Sequence, residues 1–160
     1  MCLEVNKGRK LHVATKPITC YKAVHLISPH VYESELQRFK YELGKTYFLS
    51  IGDKHKSFSS AKAEKTIYVH EGFHSFKRME DAKILIEECY TTEYALSDPK
   101  MVVIKCEIPE GAKYWVGNKG AYYGLMPSDN LDYNLNNYVE FCSERIKIVA
   151  YMQGGKWVTA

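Results

Sequence analysis

Four side chains capable of chemistry cluster in the segment YVHEGFHSFKRMED, residues 68–81. They are His70, Glu71, His74 and Ser75. The spacing around Gly72 predicts a turn from a strand into a helix, where backbone N–H groups can hold an anion. A histidine and a serine at such a turn could position or polarise a bound group. The alternative is a structural turn, anchored by its two phenylalanines and capped by the serine.

Gly72 has its own expected role in this segment. It lies between a strand that ends at His70 and Phe73, which must turn inward within one residue. We predict that Gly72 adopts a positive φ, or lets the backbone pack too closely for a Cβ atom, because only glycine reaches that geometry without strain.

A second group of charged residues follows a glycine- and asparagine-rich stretch, residues 117–137. The group consists of Glu140, Glu144 and Arg145. A carboxylate on a strand beside a cleft can hold a ribose hydroxyl, or stabilise a cationic transition state as in glycosyl-bond chemistry. The alternative interpretation places Glu144 and Arg145 in an exposed bend.

Two further sets of residues are candidates for ligand contact. Tyr21 and Lys22 lie on the first convincing strand, where the lysine could meet a phosphate or simply face outward. Tyr122 and Tyr123 lie in the loop 120–138, whose aromatic rings could stack on a base.

Established catalytic and metal-binding motifs are absent from the sequence. It has no GxxxxGK[ST] loop, no GxGxxG, no GxSxG and no HExxH. The five cysteines are odd in number and form no CxxC pair, so no metal site is expected. We interpret the cysteines that adjoin apolar runs as buried free thiols in a reducing compartment.

Composition indicates one globular domain over residues 1–160. Apolar residues make up 46% of the chain and charged residues 26%. The net charge of +3 argues against a duplex nucleic-acid partner, which usually requires a concentrated basic face. No apolar run approaches the roughly 20 residues of a membrane-spanning helix, and the N-terminus does not resemble a signal peptide, so a cytoplasmic protein without a membrane partner is expected.

The secondary structure predicted from these patterns is of the α+β class. Apolar spacing predicts one strong helix at about 78–90 and a shorter helix at about 33–41 that Gly44 ends. The predicted strands are 18–26, 66–70, 101–108, 113–116 and 138–151, the last with a bend near Ser143. Residues 51–65 are predicted to form a surface loop and 154–160 a tail. The strands form a mainly antiparallel sheet, either continuous or split.

A stretch of the chain from Gly44 to Ile148 resembles a family of uncharacterised small proteins of phages and their bacterial hosts. The resemblance depends on a GK-x-Y segment and a GFH turn, followed by a helix, a strand and a late strand similar to V-x-x-x-x-x-KI-x-I. These features correspond here to Gly44, Lys45, Tyr47, Gly72, Phe73, His74, Val139, Ile146, Lys147 and Ile148. The resemblance implies no particular activity.

The order of elements is also similar to the ADP-ribosyltransferase superfamily, whose split sheet clasps NAD. In that superfamily a first strand carries a basic residue, to which Tyr21-Lys22 would correspond. A serine-bearing strand then leads into a helix, as at residues 73–90, and a late strand carries a glutamate, matched by Glu140 or less well by Glu144. The chain departs from the superfamily in having lysine for arginine, no S-T-S and no E-x-E or Q-x-E pair directly before the final strand.

The resemblance leads to a first hypothesis, a nucleotide-binding domain that binds or acts on NAD or an ADP-ribose-type compound. Glu140 and His74 would be its catalytic residues, and the ligand would contact Tyr21, Lys22, Ser75, Tyr122 and Tyr123. The alternative is a non-catalytic phage or mobile-element protein that sequesters a host nucleotide signal or inhibits a host protein. A protein-interaction module without a small ligand is a third hypothesis.

Overall fold

The computed structural model describes residues 3–6, 10–34, 38–51, 66–69, 71–90, 101–119 and 139–159. These residues form one helix, α1 (Met79–Tyr90), and thirteen strands of a single sheet. The strands are β1 (Leu3–Asn6), β2 (His12–Val13), β3 (Ile18–Ser28), β4 (Val31–Glu33), β5 (Lys40–Glu42), β6 (Thr46–Phe48), β7 (Thr66–Val69), β8 (Phe73–Phe76), β9 (Met101–Ile108), β10 (Lys113–Lys119), β11 (Val139–Ser143), β12 (Arg145–Gln153) and β13 (Lys156–Thr159).

The sheet is antiparallel at every pairing between the described strands. Its main path runs β13-β12-β9-β3-β8-β11-β10-β1-β7, while β2, β4, β5 and β6 pair at its margins. The prediction of a mainly antiparallel α+β fold is therefore confirmed. The strong helix and the strands predicted near 18–26, 66–70, 101–108 and 138–151 are also confirmed, including the bend between β11 and β12.

The centre of the sheet is the long pairing between β3 and β9. Its register runs without interruption from Ile18 opposite Ile108 to His25 opposite Met101. Strand β9 is buried along most of its length, as its nearly continuous apolar sequence requires. This pairing therefore provides a rigid base from which the neighbouring strands are positioned.

The contact between β3 and β8 is much shorter than the contacts on either side of it. Only Tyr21 and Phe76 pair across it. Strand β8 instead forms four consecutive pairs with β11, from Glu140 opposite Phe76 to Ser143 opposite Phe73. The sheet therefore has two well-paired parts that meet at a single residue pair.

The two faces of the sheet are buried by different clusters. Paired residues in antiparallel strands share a face, so the register assigns each side chain to one of them. The larger cluster, on what we call the core face, includes Cys20, Ile104, Phe141 and Ile146. On the opposite side, called here the helix face, α1 packs Ala82 and Leu85 against Phe76 and Val103.

Helix α1 forms where its apolar spacing predicts. Met79, Ala82, Leu85 and Ile86 contact or join the cluster on the helix face. Asp81 lies in the first turn, where a carboxylate is favoured by the helix dipole, and it accepts two hydrogen bonds from the Arg78 guanidinium.

The predicted short helix at about 33–41 is wrong. The chain forms a hairpin there, in which β4 pairs with β5 and Tyr32 lies opposite Tyr41. Both tyrosines are buried. Each is flanked by more exposed residues, so the apolar period is the two-residue period of a strand rather than that of a helix.

The predicted C-terminal tail is also wrong, because residues 156–159 form β13 and pair with β12. Gly154 and Gly155 both have positive φ, as a two-residue hairpin turn of this handedness requires. The predicted surface loop at 51–65 lies, except for Ile51, outside the described residues. In the described part of the chain, no helix is long and apolar enough to cross a membrane.

Candidate functional site

Three neighbouring strands carry most of the residues that the sequence suggested as a site. Lys22 lies on β3, His74 and Ser75 lie on β8, and Glu140 lies on β11. These strands stand side by side in the order β3-β8-β11. Residues separated by more than a hundred positions in the chain are thereby brought to one region of the sheet.

The register divides these residues between the two faces. Glu140 is opposite Phe76 and Cys142 is opposite His74, so the glutamate, the histidine and this cysteine share the helix face. Tyr21 and Phe76 are paired and lie on the helix face. Successive residues of a strand face opposite sides, so Lys22, next to Tyr21, and Ser75, next to Phe76, share the core face. The expected cluster of His74, Ser75, Lys22 and Glu140 is thus two clusters, one on each side of β8.

Glu140 is the most deeply buried acidic residue of the described chain, with 0% of its surface exposed. It lies between Phe76 on β8 and Gly117 on β10. A carboxyl group is costly to bury. Ionisable groups in such settings are concentrated at functional sites, so Glu140 is the strongest candidate for chemistry in the described chain.

His74 and Cys142 are in contact beside Glu140. The Cys142 Sγ atom lies 3.6 Å from His74 Nε2, and the thiol donates a hydrogen bond of 3.1 Å to the Glu71 carbonyl. Burial raises the pKa of Cys142 to about 12; the charge of Glu140 adds to this effect and that of Lys22 opposes it. The thiol is therefore protonated at neutral pH and is not an activated nucleophile.

Gly72 adopts a positive φ of 123°, as predicted. A Cβ atom added at this position would lie 2.6 Å from Cys142 Sγ and 3.1 Å from the Ser143 carbonyl oxygen. Both parts of the expectation hold, because the backbone conformation and the close approach each favour glycine. The Gly72 turn and the Cys142 thiol therefore fit against one another, and together they determine where β8 begins.

Lys22 points into the core face rather than outward, and only 7% of its surface is exposed. Its ammonium donates a hydrogen bond to the His74 carbonyl and lies 5.5 Å from the centre of the Tyr41 ring. The lysine thereby joins β3 to β8 just beyond their single paired position. Its charge stabilises the short contact between the two parts of the sheet.

Replacing Lys22 should therefore destabilise the fold. We expect Lys22→Met, which keeps an apolar stem, to lower the free energy of unfolding by about 1.5–3 kcal/mol, because a charge-assisted hydrogen bond is lost. Chemical denaturation measures the change. Lys105→Met, on the neighbouring strand β9, is the matched control and should cost less. Equal or greater stability of Lys22→Met would show that the buried ammonium gives no net stabilisation.

The Cys142 thiol should make stability depend on alkaline pH. Its pKa is raised from 9.0 to about 12 by folding, so the stabilisation that it provides is complete below pH 9 and is lost between pH 9 and 12. In that range we expect the free energy of unfolding to fall by up to about 1.4 kcal/mol per pH unit from this group. Cys142→Ser keeps a donor for the Glu71 carbonyl but does not titrate, so its unfolding energy should fall less steeply. Parallel slopes for the two proteins would contradict the assignment.

The other predicted site residues are placed as follows. Tyr21 is half-buried on the helix face, and its ring centre lies 6.0 Å from that of Trp157. Ser75 is buried within β8, so it does not cap α1. Glu144 lies at the bend and accepts a hydrogen bond of 3.0 Å from the Lys113 backbone N–H. Tyr122 and Tyr123 lie outside the described residues, and so does His70.

Sequence reasoning missed Cys142 as part of the site. The thiol was interpreted as a small apolar residue, and it is indeed buried. The available signal was its position two residues from Glu140 on a strand, which places both side chains on the same face. The described residues include no group of three histidine, cysteine or acidic side chains arranged to hold a metal ion.

Comparison with known proteins identifies no relative. The chain matches no protein-family model, no curated protein and no solved structure.

Proposed function

We propose that the protein binds NAD or an ADP-ribose-type compound at the junction of β3, β8 and β11, in the manner of the ADP-ribosyltransferase superfamily. The observation that carries the proposal is the single residue pair between β3 and β8. The resemblance implies a split sheet, with a basic residue on a first strand and a serine-bearing strand that leads into a helix. Glu140 lies on the next strand, β11.

The residues on the helix face would supply the chemistry. Breaking the bond between nicotinamide and ribose leaves positive charge on the ribose, while the electron pair of the bond departs with neutral nicotinamide. The Glu140 carboxylate would stabilise that charge or hold a ribose hydroxyl, and His74 would orient the sugar. Water or another nucleophile would then add to the same carbon and release a proton.

Lys22 has a different role in this proposal from the one that the sequence suggested. Its ammonium already donates to the His74 carbonyl on the core face, so it would hold β8 in place rather than contact a phosphate. Ser75, which is also on the core face, would support the same strand. The ligand would therefore contact the helix face.

Binding must be accompanied by an opening of the chain around Glu140, because this side chain is completely buried. Local openings of this kind are common at ligand sites. Amide hydrogen exchange with and without ADP-ribose would detect the opening and its closure around the ligand, in β8 and β11 above all.

The direct experiment is to titrate the protein with ADP-ribose and NAD by calorimetry and to follow NAD by chromatography for release of nicotinamide. Saturable binding of either compound supports the proposal, and release of nicotinamide adds catalysis to it. Absence of both binding and turnover would refute it. Guanosine monophosphate serves as the control for non-specific nucleotide binding.

A second candidate function is non-catalytic sequestration of a host nucleotide signal, or inhibition of a host protein, by a phage or mobile-element protein. The protonated Cys142 thiol and the engaged Lys22 ammonium favour it, because neither group is left free to react. This function predicts tight binding of a nucleotide that is recovered unmodified, or binding of a host protein without a small ligand.

A further inference from the structure

Trp157 and Tyr21 form an aromatic pair on the helix face, to which the proposed reaction gives no role; Tyr21 also packs against the cluster that α1 covers. Their ring centres are 6.0 Å apart with an interplanar angle of 36°. Trp157 is 36% exposed, whereas the protein's other tryptophan, Trp115, is 4% exposed. A large aromatic ring that stays in contact with water at one end is typical of surfaces that bind ligands.

The position of Trp157 results from two features of the edge of the sheet. A change of register in β12 between Ile148 and Ala150 turns Ala150 to the helix face, opposite Lys105 on β9. The Trp157 ring belongs to the next strand, β13, and faces the same side through its pairing with Met152. Because Ala150 has only a methyl group, the indole can extend across the sheet until it meets Tyr21.

A cation lies beside this pair on the same face. Lys105 is directly opposite Tyr21 in the register of β3 and β9 and is half-buried. On the side of Tyr21 away from Lys105, the next paired residue across the sheet is Phe76 on β8, followed by Glu140 on β11. Two inter-strand steps of about 4.8 Å place the backbones of Tyr21 and Glu140 roughly 10 Å apart. Phe76, between them, is buried against α1, so a ligand that spans both residues requires the opening around Glu140 to include the contact between α1 and Phe76.

We infer that Trp157, supported by Tyr21, is the stacking platform for the purine base of the ligand, and that Lys105 neutralises its phosphate. Every base has a π-face, so an exposed indole binds it without requiring particular hydrogen bonds. A lysine is suited to a phosphate as a point charge. This inference rests on the proposed function, since it assigns the binding site for the base and phosphate of a ligand whose ribose lies at Glu140.

The test compares three proteins: wild type, Trp157→Phe and Trp157→Ala. Calorimetry with ADP-ribose should give nearly equal affinities for the first two, because the phenyl ring still stacks. Trp157→Ala should bind at least about fivefold more weakly. Ribose 5-phosphate, which has no base, should bind wild type and Trp157→Ala alike. A melting curve for each variant shows that it is folded, and Trp157→Leu replaces the alanine variant if that one unfolds.

Tryptophan fluorescence gives a second readout that does not depend on a destabilising change. Adenosine monophosphate should quench wild-type emission more than ribose 5-phosphate does. That base-dependent part of the quenching should disappear in Trp157→Phe, where only Trp115 emits.

The two proposals fail in distinguishable ways. If wild type binds ADP-ribose, and Trp157→Ala binds it equally well without base-dependent quenching in wild type, the platform is refuted and the proposed function stands. If wild type binds none of these compounds, the proposed function fails and the platform fails with it. Binding of a protein partner that Trp157→Ala abolishes, without any nucleotide binding, would assign the aromatic pair to that partner and refute the inference.

Discussion

Gly72→Ala is expected to destabilise the protein by about 2–4 kcal/mol, more than a positive φ alone would cause. Forcing a side chain into this backbone conformation costs on the order of 1–3 kcal/mol. The added Cβ would also lie 2.6 Å from Cys142 Sγ and 3.1 Å from a backbone oxygen. The backbone oxygen belongs to a paired strand and cannot move aside cheaply, so overpacking adds a further cost of about 1 kcal/mol or more.

Gly111→Ala is the matched control for this prediction. Gly111 also has a positive φ, 76°, but its added Cβ would meet nothing closer than an Arg145 side-chain nitrogen at 3.6 Å. The difference between the two variants therefore combines the close approach to Cys142 and Ser143 with the greater backbone strain at a φ of 123° than at 76°. Cys142→Ala should recover part of the loss in Gly72→Ala, and a double-mutant cycle by chemical denaturation measures how much. Equal costs at the two glycines would contradict the steric argument.

Gly72→Ala also tests whether the Gly72 turn belongs to the ligand site. The turn leads directly into β8, on which His74 faces Cys142 and shares a face with Glu140. We therefore expect Gly72→Ala to weaken any ligand at Glu140, whereas Gly111→Ala should leave affinity unchanged. Loss of stability without loss of affinity would separate the turn from the site.

Several elements could be predicted because local sequence determines them. The β9 strand is a continuous apolar run ended by a proline, and α1 repeats its apolar residues at helical spacing. Gly72 was predicted correctly because the chain had to change direction within one residue of a buried phenylalanine. In each case the physical cause lies within about a dozen residues.

The elements that were predicted wrongly depend on partners far along the chain. The residues around Tyr32 and Tyr41 contain good helix formers, but both tyrosines are drawn into a core made by β3, β9 and β12. Strand β13 was interpreted as a tail because a strand of four residues carries little signal until β12 is available to pair with it. Tertiary contacts outweighed local preference in both places.

The site was predicted in part, for a related reason. Strands β3 and β11 could be predicted from the sequence pattern, whereas residues 73–76 were predicted as a turn into the helix and instead form β8. Which residues share a face depends on the register between strands, and a shift of one residue moves every side chain to the opposite face. The register places Lys22 and Ser75 on the core face and leaves His74, Glu140 and the overlooked Cys142 together on the other.

Glu140→Gln is expected to have the largest effect on activity. Glutamine keeps the size of the side chain and its ability to accept a hydrogen bond, but it removes the negative charge. If the carboxylate stabilises a positively charged ribose, nicotinamide release from NAD should fall by about 10²–10³-fold, while the affinity for ADP-ribose changes far less. Single-turnover assays and calorimetry measure the two quantities separately.

Glu144→Gln is the control that makes this result specific. Glu144 is the next glutamate along the chain after Glu140, but it lies at the bend between β11 and β12 and accepts a hydrogen bond from the Lys113 backbone N–H. Its replacement should therefore affect stability and leave turnover unchanged. Because Glu140 is completely buried, a melting curve must accompany each assay to show that Glu140→Gln is folded. If folded Glu140→Gln releases nicotinamide as fast as Glu144→Gln does, the carboxylate has no part in the reaction. If wild type binds ADP-ribose without consuming NAD, and Glu140→Gln changes only the affinity, Glu140 is a binding residue and the protein sequesters its ligand instead of transforming it.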